Sequence, residues 1–260
     1  MAKAVQLKLH KLNDPIVLDS ICSINYLEEK SGIKGRIAGG MGVQSYIPQS
    51  LYRETIDLDF SLIWRGSVTE FKELCNPLIE FLKEKGYDLH VHKKRSTYDA
   101  FLSKEGDSFV IQHPRRSKKY FEERRKSLER ETVNQRIITK QGISYGVLSP
   151  EDLTVTKLHR SLIFSNTYNL WIPKYASVEA LRNFSKGIKR KILENFAERS
   201  ERNIALLKLI NDCYDLKCLS ENVELNSNYF AEVVKDWEGF GQIKSKDFRG
   251  LLDKLEIELF

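Results

Sequence analysis

The spacing of apolar and polar positions divides the chain into a strand-rich first part and a helical second part. In the first part, runs such as "TIDLDFSLIW" are rich in β-branched and aromatic residues, which is typical of strands. The run "SICSINYLEEKSG" has apolar residues three or four positions apart, which predicts a helix that ends at Gly32. The run "GRIAGG" predicts a short strand that breaks at Gly39 and Gly40.

The rest of the first part predicts a helix, a meander and a hairpin. Ser67, with Glu70 three positions later, caps a predicted helix that Pro77 kinks or divides. Three strands follow in "YDLHVHK", "TYDAFLSK" and "DSFVIQH", and the last two are joined at the turn "EGD". A charged segment comes next, and a hairpin then turns at residues 141–142.

Strand patterns are scarce after Ser149, which is a good helix N-cap and is followed by Pro150 at the first helical position. The pattern predicts helices at 150–165, 177–211, 227–237 and 245–258. Strands and helices in separate halves predict an α+β fold. We expect a mixed β-sheet flanked by helices in residues 1–150 and an α-helical domain in residues 151–260.

Composition and charge are those of an ordinary globular protein. The 260 residues are 41% hydrophobic, and 42 Lys and Arg against 36 Asp and Glu give a net charge of +6, which permits a polyanionic partner. No run approaches the roughly 18 apolar residues of a membrane span, and the start has no signal-peptide core. The four scattered cysteines indicate reduced thiols, so we expect a cytoplasmic protein without a membrane partner.

The candidate chemistry begins with two acids in the apolar run "RETIDLDF". Alternate strand positions share a face, so Asp57 and Asp59 project together while Ile56, Leu58 and Phe60 face the core. The rise along a strand separates the two acids by about 7 Å. Carboxylates at that separation suit one divalent cation or a pair of metals, and hard oxygen ligands favour Mg²⁺.

A glycine pair precedes these acids. Gly39 and Gly40 end a predicted strand before a predicted helix, where backbone N–H groups approach an anion closely. Followed by a helix and an Asp-x-Asp strand, the pair predicts a site for a triphosphate and its metals. Two alternatives for Asp57 and Asp59 are a solvated edge strand and the Asp-x-Asp of glycosyltransferases, which binds a sugar nucleotide through Mn²⁺. The glycosyltransferase Asp-x-Asp motif usually follows a longer Rossmann-like half than the roughly 55 residues that precede Asp57 here, so it fits this sequence less well.

The segments "GGMGVQSYI" and "YRETIDLDF" together resemble the nucleotidyltransferases of the abortive-infection AbiEii toxin family, a branch of the polymerase-β-like superfamily. That family has a Gly-Gly or Gly-Ser turn, a helix, and then an Arg-x-Ser/Thr-x-Asp-x-Asp strand. Arg53, Thr55, Asp57 and Asp59 match this strand position by position.

Two later segments extend the resemblance. The segment "LSPEDLTVTKLHR" is similar to the family's helix whose lysine reaches the nucleotide phosphates, which gives that role to Lys157. The segment "NDCYDL" is similar to its Arg/Lys-Asp-x-x-Asp-Leu element, which indicates Asp212 and also Asp215. The matched segments run from residue 39 to residue 216 in the family's order.

The resemblance implies a nucleotidyltransferase fold in residues 1–150, a helical bundle in residues 151–260, and transfer of a nucleoside monophosphate from an NTP to an acceptor hydroxyl. It implies an RNA acceptor, particularly the 3′ end of tRNA, and an antitoxin partner in a toxin–antitoxin or phage-defence module. Mg²⁺ or Mn²⁺ would bind Asp57 and Asp59, with Lys157 and Asp212 completing the catalytic set. The nucleotide ligands would be Gly39, Gly40, Ser45, Arg53, Thr55 and Lys157.

Three positions depart from the family pattern. Met41 stands where the family commonly has Ser or Thr, so we expect Ser45, one helical turn later, to supply the hydroxyl. Gln112 stands where the superfamily often has a third carboxylate, and Asn211 replaces a basic residue. Candidates for the third acid are Asp99, Asp107 and Asp212. The alternative function is a catalytically silent nucleotide- or RNA-binding protein.

Two basic segments remain, "RRSKKYFEERRKSLER" and "KGIKRKILENFAERSER". Each is consistent with a solvated, internally salt-bridged helix or with a stripe that contacts RNA phosphates.

Overall fold

Seven strands form one mixed sheet in the computed structural model, which describes residues 8–194, 200–239 and 244–259. The strands are β1 (Gly35–Ile37), β2 (Asp57–Leu62), β3 (Asp88–Lys93), β4 (Thr97–Lys104), β5 (Asp107–Pro114), β6 (Arg136–Lys140) and β7 (Ile143–Val147). The helices are α1 (Pro15–Ser31), α2 (Gly39–Gln44), α3 (Val68–Leu74), α4 (Asn76–Glu84), α5 (Lys118–Val133), α6 (Pro150–Tyr168), α7 (Val178–Glu194), α8 (Glu201–Asn222), α9 (Ser227–Glu238) and α10 (Ser245–Leu255).

The sheet has the strand order β3-β4-β5-β2-β1-β7-β6. Strand β2 runs parallel to β5 and β1 runs parallel to β7, while the other neighbours are antiparallel. The predicted β3–β4–β5 meander is therefore confirmed. Its second turn and the predicted β6–β7 hairpin both close with two residues of positive φ, Glu105–Gly106 and Gln141–Gly142, as tight hairpin turns require.

Two predicted helices are divided. The helix that begins after Ser67 ends at Leu74, and α4 starts again at Asn76 with Pro77 in its first turn. The single helix predicted at 177–211 is wrong, because the structure has α7 and α8 there. The Ser200 hydroxyl accepts a hydrogen bond from the Asn203 amide and caps the start of α8. Residues 195–199 lie outside the described part of the chain.

The chain forms two compact units. The first comprises Met1–Ser45 and Tyr52–Ser149, and the second comprises Tyr46–Leu51 and Pro150–Phe260. The first unit holds all seven strands with α1 to α5, and the second holds α6 to α10. The predicted fold class, a mixed sheet flanked by helices and followed by C-terminal helices, is confirmed. The division into a nucleotidyltransferase domain at 1–150 and a helical bundle at 151–260 stays a prediction.

The described cysteines and helices give two further observations. The structure has free thiols at Cys22, Cys75, Cys213 and Cys218. Within the described ranges, none of the helices combines the length and the apolar character that a bilayer crossing demands.

Candidate functional site

Strand β2 presents both aspartates on one face of the sheet. Asp57 and Asp59 are half-buried, whereas Leu58 and Phe60 are 0% and 2% exposed on the opposite face. This is the alternation that a strand imposes. The prediction that Ile56 also faces the core is wrong, since Ile56 is 39% exposed. It precedes the first residue of β2, so no ladder partner fixes its orientation.

The opposite face of β2 is an aromatic core that excludes charge. The ring of Phe60 lies 5.4 Å from that of His113, which lies 5.4 Å from the ring of Phe71. Burial lowers the pKa of His113 well below its usual value, and the charges of Arg116 and Arg36 lower it further, so the ring is neutral. Carboxylates on that face would be costly, and the strand directs them away from it.

The two glycines lie directly against the charged side chains. Gly39 has a φ of +62°, and a Cβ there would lie 1.9 Å from Oδ2 of Asp59. A Cβ on Gly40 would lie 2.5 Å from Nη2 of Arg53. The backbone amide of Ala38 also donates a 2.8 Å hydrogen bond to the Asp59 carbonyl. One carboxylate and one guanidinium therefore approach this turn only because it has no side chains.

Asp57 and Arg53 are held by neighbours. The Thr55 hydroxyl donates a 2.7 Å hydrogen bond to Oδ1 of Asp57, which fixes the carboxylate orientation. Gln44 is 1% exposed, and its amide nitrogen donates to the Arg53 carbonyl at 2.7 Å. Its amide oxygen accepts from the Leu12 amide at 2.9 Å. The sequence prediction did not include Gln44, although a glutamine in an otherwise apolar helix was a signal for it.

Sheet register places the carboxylate of Asp99 on the same face as Asp59, two strands away. Asp59 pairs with Gln112 on β5, and Gln112 pairs with Asp99 on β4, so the three share one face. Adjacent strands are about 4.8 Å apart. The Gln112 amide donates to Oδ2 of Asp99 at 3.2 Å, and Nζ of Lys94 lies 2.5 Å from the same oxygen. Asp99 is 0% exposed, and within the described part of the chain its Oδ1 has no hydrogen-bond partner, so it could accept a further bond.

The other candidates for a third acid lie elsewhere. Asp107 is at the start of β5, where its carboxylate lies 3.2 Å from Nε2 of His10. Asp212 belongs to the second unit. Of the three, Asp99 alone shares the sheet row of Asp59.

The residues of this face fit a divalent cation that a triphosphate also binds. In the described residues no group of three or more His, Cys, Asp or Glu side chains is arranged to hold a metal ion. Mg²⁺ at nucleotide sites needs only one or two carboxylates, because phosphate oxygens supply other ligands. Asp57 and Asp59 could provide these two carboxylates, and the missing side chain at Gly39 makes room for the second.

A group of arginines lies farther along the same face. Arg36 on β1 pairs with Ser61, which is two residues beyond Asp59 and so shares its face. Arg36 is 0% exposed and donates to Glu131 on α5 at 2.8 Å. Arg116 donates to the Ser61 hydroxyl at 2.6 Å, and burial lowers its pKa to about 10, with the charge of Arg36 contributing. Arg36 and Arg116 together outweigh the charge of Glu131, so this part of the carboxylate face is positively charged.

Ser45 does not face a solvent-accessible site. It is 3% exposed, its hydroxyl donates to the Met41 carbonyl at 3.0 Å, and it shares a 3.1 Å hydrogen bond with the Tyr145 hydroxyl. Burial raises the pKa of Tyr145 to about 12, so that partner is a neutral phenol. This placement gives no support to the predicted phosphate contact of Ser45.

The second unit contains a buried ion cluster. Nζ of Lys157 on α6 lies 2.9 Å from Oδ1 of Asp212 and 2.6 Å from Oδ2 of Asp215, both on α8. Arg160, one helical turn after Lys157, donates two hydrogen bonds to Asp212. Burial alone would raise the pKa of Asp212, but the charges of Arg160 and Lys157 outweigh it and lower the pKa to about 2.

The cluster brings together three residues that the sequence singled out and one that it missed. Lys157 is 1% exposed and Asp212 is 0% exposed, whereas the Arg160 side chain is 36% exposed. The spacing of three positions from Lys157 to Arg160, which places both on one helix face, was the available signal.

Comparisons with known proteins give structural similarities. No protein-family model matches the chain, and no curated protein sequence does. The solution structure of the antibiotic-resistance factor ANT(2'')-Ia is similar over 87% of this chain and 94% of that chain, with 11% identity and a TM-score of 0.41. The crystal structure of an antigenic nucleotidyltransferase-like protein from Paracoccidioides brasiliensis is similar over 97% of this chain and 96% of that chain, with 12% identity and a TM-score of 0.46.

Proposed function

We propose that this chain is a divalent-metal-dependent nucleotidyltransferase of the AbiEii toxin type, which transfers a nucleoside monophosphate from an NTP to an acceptor hydroxyl. One observation carries the proposal. Asp57 and Asp59 share a face of β2, and Asp59 lies against Gly39 while Arg53 lies against Gly40. A carboxylate pair beside a bare backbone turn is an arrangement that holds a metal-bound triphosphate.

In this proposal, each residue has a positioning or electrostatic role. A cation bound by Asp57 and Asp59 would neutralise phosphate charge and favour ionisation of the acceptor hydroxyl. Thr55 keeps the Asp57 carboxylate oriented, and Arg53 binds phosphate oxygens beside Gly40. The acceptor oxygen bonds to the α-phosphorus as the bond from that phosphorus to its bridging oxygen breaks. Pyrophosphate leaves and the hydroxyl proton passes to water.

The buried cluster of the second unit has a supporting role in the proposal. Asp212 orients Lys157, a role that their 2.9 Å contact supports. The contribution of Lys157 to nucleotide phosphate binding is proposed from the AbiEii resemblance. Arg160, whose side chain is 36% exposed, donates to the Asp212 carboxylate and helps to hold it in place.

The acceptor and biological setting are proposed from the AbiEii resemblance. The acceptor is RNA, specifically the 3′ end of tRNA, and the chain acts in the cytoplasm as the toxin of a module that includes an antitoxin protein. A net charge of +6 is consistent with a polyanionic acceptor. Free thiols at all four cysteines are consistent with a reducing compartment.

A second candidate is a catalytically silent nucleotide- or RNA-binding protein with the same fold. Gln112 favours it, because this neutral side chain occupies the sheet position next to Asp59 where a third acid would assist metal binding. The two candidates differ in chemistry, since only the first releases pyrophosphate.

Incubation of the full chain with each α-labelled NTP, Mg²⁺ and total RNA tests the proposal. The wild type should transfer label to RNA, and Asp57→Asn and Asp59→Asn should each abolish transfer while they preserve side-chain shape. Asp88→Asn is the matched control, because Asp88 is an exposed aspartate on β3. Transfer that survives both site substitutions would refute the assignment. Nucleotide binding without transfer would favour the silent protein, and label on a small molecule or protein would exclude the RNA acceptor.

A further inference from the structure

Exposed aromatic side chains concentrate in one short segment of the second unit. Among the described residues, the exposed Phe, Trp and Tyr side chains are Tyr120, Trp171, Tyr175 and Phe184, at 42%, 65%, 67% and 44% exposure. Three of these four lie within residues 171–184. Exposed apolar surface that is clustered in this way is typical of a binding surface.

The backbone that presents Trp171 and Tyr175 is anchored. Leu170 and Ile172, on either side of Trp171, are each 6% exposed, so the chain packs inward at both neighbours. The amide of Tyr175 donates a 3.1 Å hydrogen bond to the Lys254 carbonyl. The two rings therefore project outward from a fixed segment, and little conformational entropy is lost when a ligand stacks on them.

Phe184 projects from an open face of α7. The buried stripe of this helix contains Leu181, Ser185 and Ile188, and Phe184 lies beside it. Gly187 is one turn after Phe184, and a Cβ there would meet no atom within 4 Å. The space beside α7 one turn after Phe184 is therefore not filled by other described side chains.

The same segment carries excess positive charge. Residues 170–194 contain six Lys and Arg against two Glu. Lys186 and Lys191 are exposed on α7, and the nearby Arg190 pairs with Glu194 at 2.8 Å. In the other basic segment, three exposed cations of α5 have acid partners four positions later, at Glu122, Glu123 and Glu129. Residues 115–131 have the same excess of four cations over acids, so the three exposed aromatic rings, rather than the charge, distinguish the α7 segment as a polyanion surface.

We propose that residues 171–191 form a docking surface for a single-stranded polynucleotide. Bases stack on Trp171, Tyr175 and Phe184, and phosphates lie against Lys191, which shares one flank of α7 with Phe184. A duplex keeps its bases stacked on each other and cannot use these rings. Aromatic residues are enriched in protein interfaces as well, but lysine is depleted there, so the excess of cations favours a polyanion over a protein partner. This binding does not depend on the proposed transfer reaction and goes beyond it.

The test measures binding of a short fluorescein-labelled single-stranded oligonucleotide to the full chain by fluorescence anisotropy, without NTP. Trp171→Ala, Tyr175→Ala and Phe184→Ala should each weaken binding roughly five- to hundredfold, as expected for loss of one stacked base. Lys191→Gln should weaken binding of all sequences and reduce the slope of log K against log salt by about 0.7. Thermal unfolding of each variant checks that these exposed substitutions leave the fold intact.

Two controls separate stacking from general effects. Tyr120→Ala removes an aromatic ring of nearly the same exposure as Phe184 from the first unit, and Lys208→Gln removes an exposed lysine from α8. Both should bind like the wild type. Failure of the wild type to bind would overturn the proposal. The proposal would also be overturned if a duplex bound as tightly as the single strand, or if the two controls lost as much affinity as the tested variants. Aromatic variants that bind like the wild type would overturn it too. Binding retained in Asp57→Asn shows that this surface stands even if the proposed transfer fails.

Discussion

Gly39→Ala tests whether the bare backbone at the glycine turn holds Asp59 in place. The new Cβ would lie 1.9 Å from Oδ2 of Asp59, whereas real Cβ contacts are essentially never under 3.0 Å. The carboxylate must therefore retreat by about 1 Å, a displacement that costs roughly a hundredfold in rate when it moves a catalytic group. The φ of +62° adds about 1–2 kcal/mol of strain to any residue with a side chain.

Gly32→Ala is the matched control for the strain. Gly32 has a φ of +69°, and a Cβ there would meet nothing within 4 Å. Urea unfolding should show that Gly32→Ala loses only about 1–2 kcal/mol, while Gly39→Ala loses more because of the overlap with Asp59. In the label-transfer assay, Gly39→Ala should fall about a hundredfold and Gly32→Ala should match the wild type. The reasoning would be refuted if Gly39→Ala lost no more stability than Gly32→Ala and also transferred label like the wild type.

Three further predictions concern buried charges. Asp212→Ala should lower the free energy of unfolding at neutral pH by about 3–5 kcal/mol in urea titrations, because it removes a partner of the buried Lys157 ammonium. In the wild type, the net effect of burial, Arg160 and Lys157 is a pKa of about 2 for Asp212, below its ordinary value of 3.8. The lowered pKa should add roughly 2–3 kcal/mol to the free energy of unfolding, fully present above about pH 4 and lost as the pH falls toward 2. The free energy of unfolding of Asp212→Ala should not show this loss between pH 4 and pH 2. Asp99→Asn should reduce label transfer about tenfold or more, as loss of an outer partner of a metal site does. Lys94→Gln is the control: it removes a side chain that is 50% exposed, and it should keep most of the transfer activity. Normal transfer in Asp99→Asn would remove Asp99 from the site.

Features encoded by local periodicity and turn chemistry were predictable. The shared face of Asp57 and Asp59 follows from strand alternation, and the β6–β7 turn follows from a glutamine–glycine pair between two strands. The single helix predicted at 177–211 was wrong, although Ser200 was a visible N-cap signal inside it. Ile56 was misassigned because the pattern does not mark where ladder pairing begins.

Features that depend on which strands are neighbours were not predictable. The sequence named Asp99 as one of three possible third acids, but only the β2–β5–β4 register places it in the row of Asp59. The contacts of Lys157 with Asp212 and Asp215 join positions more than 50 residues apart, and the pKa of Asp212 is lowered against the effect of burial only because Arg160 and Lys157 lie beside it.

The sequence by itself determined the order of most elements, the face of the two aspartates and the glycine turn beside them, because each depends on residues close together in the chain. Tertiary structure decided that Asp59 lies against Gly39, that Ser45 faces the interior, and that aromatic rings and lysines remain exposed around α7. The physical reason is that burial and register arise from contacts between distant segments, which no local pattern records.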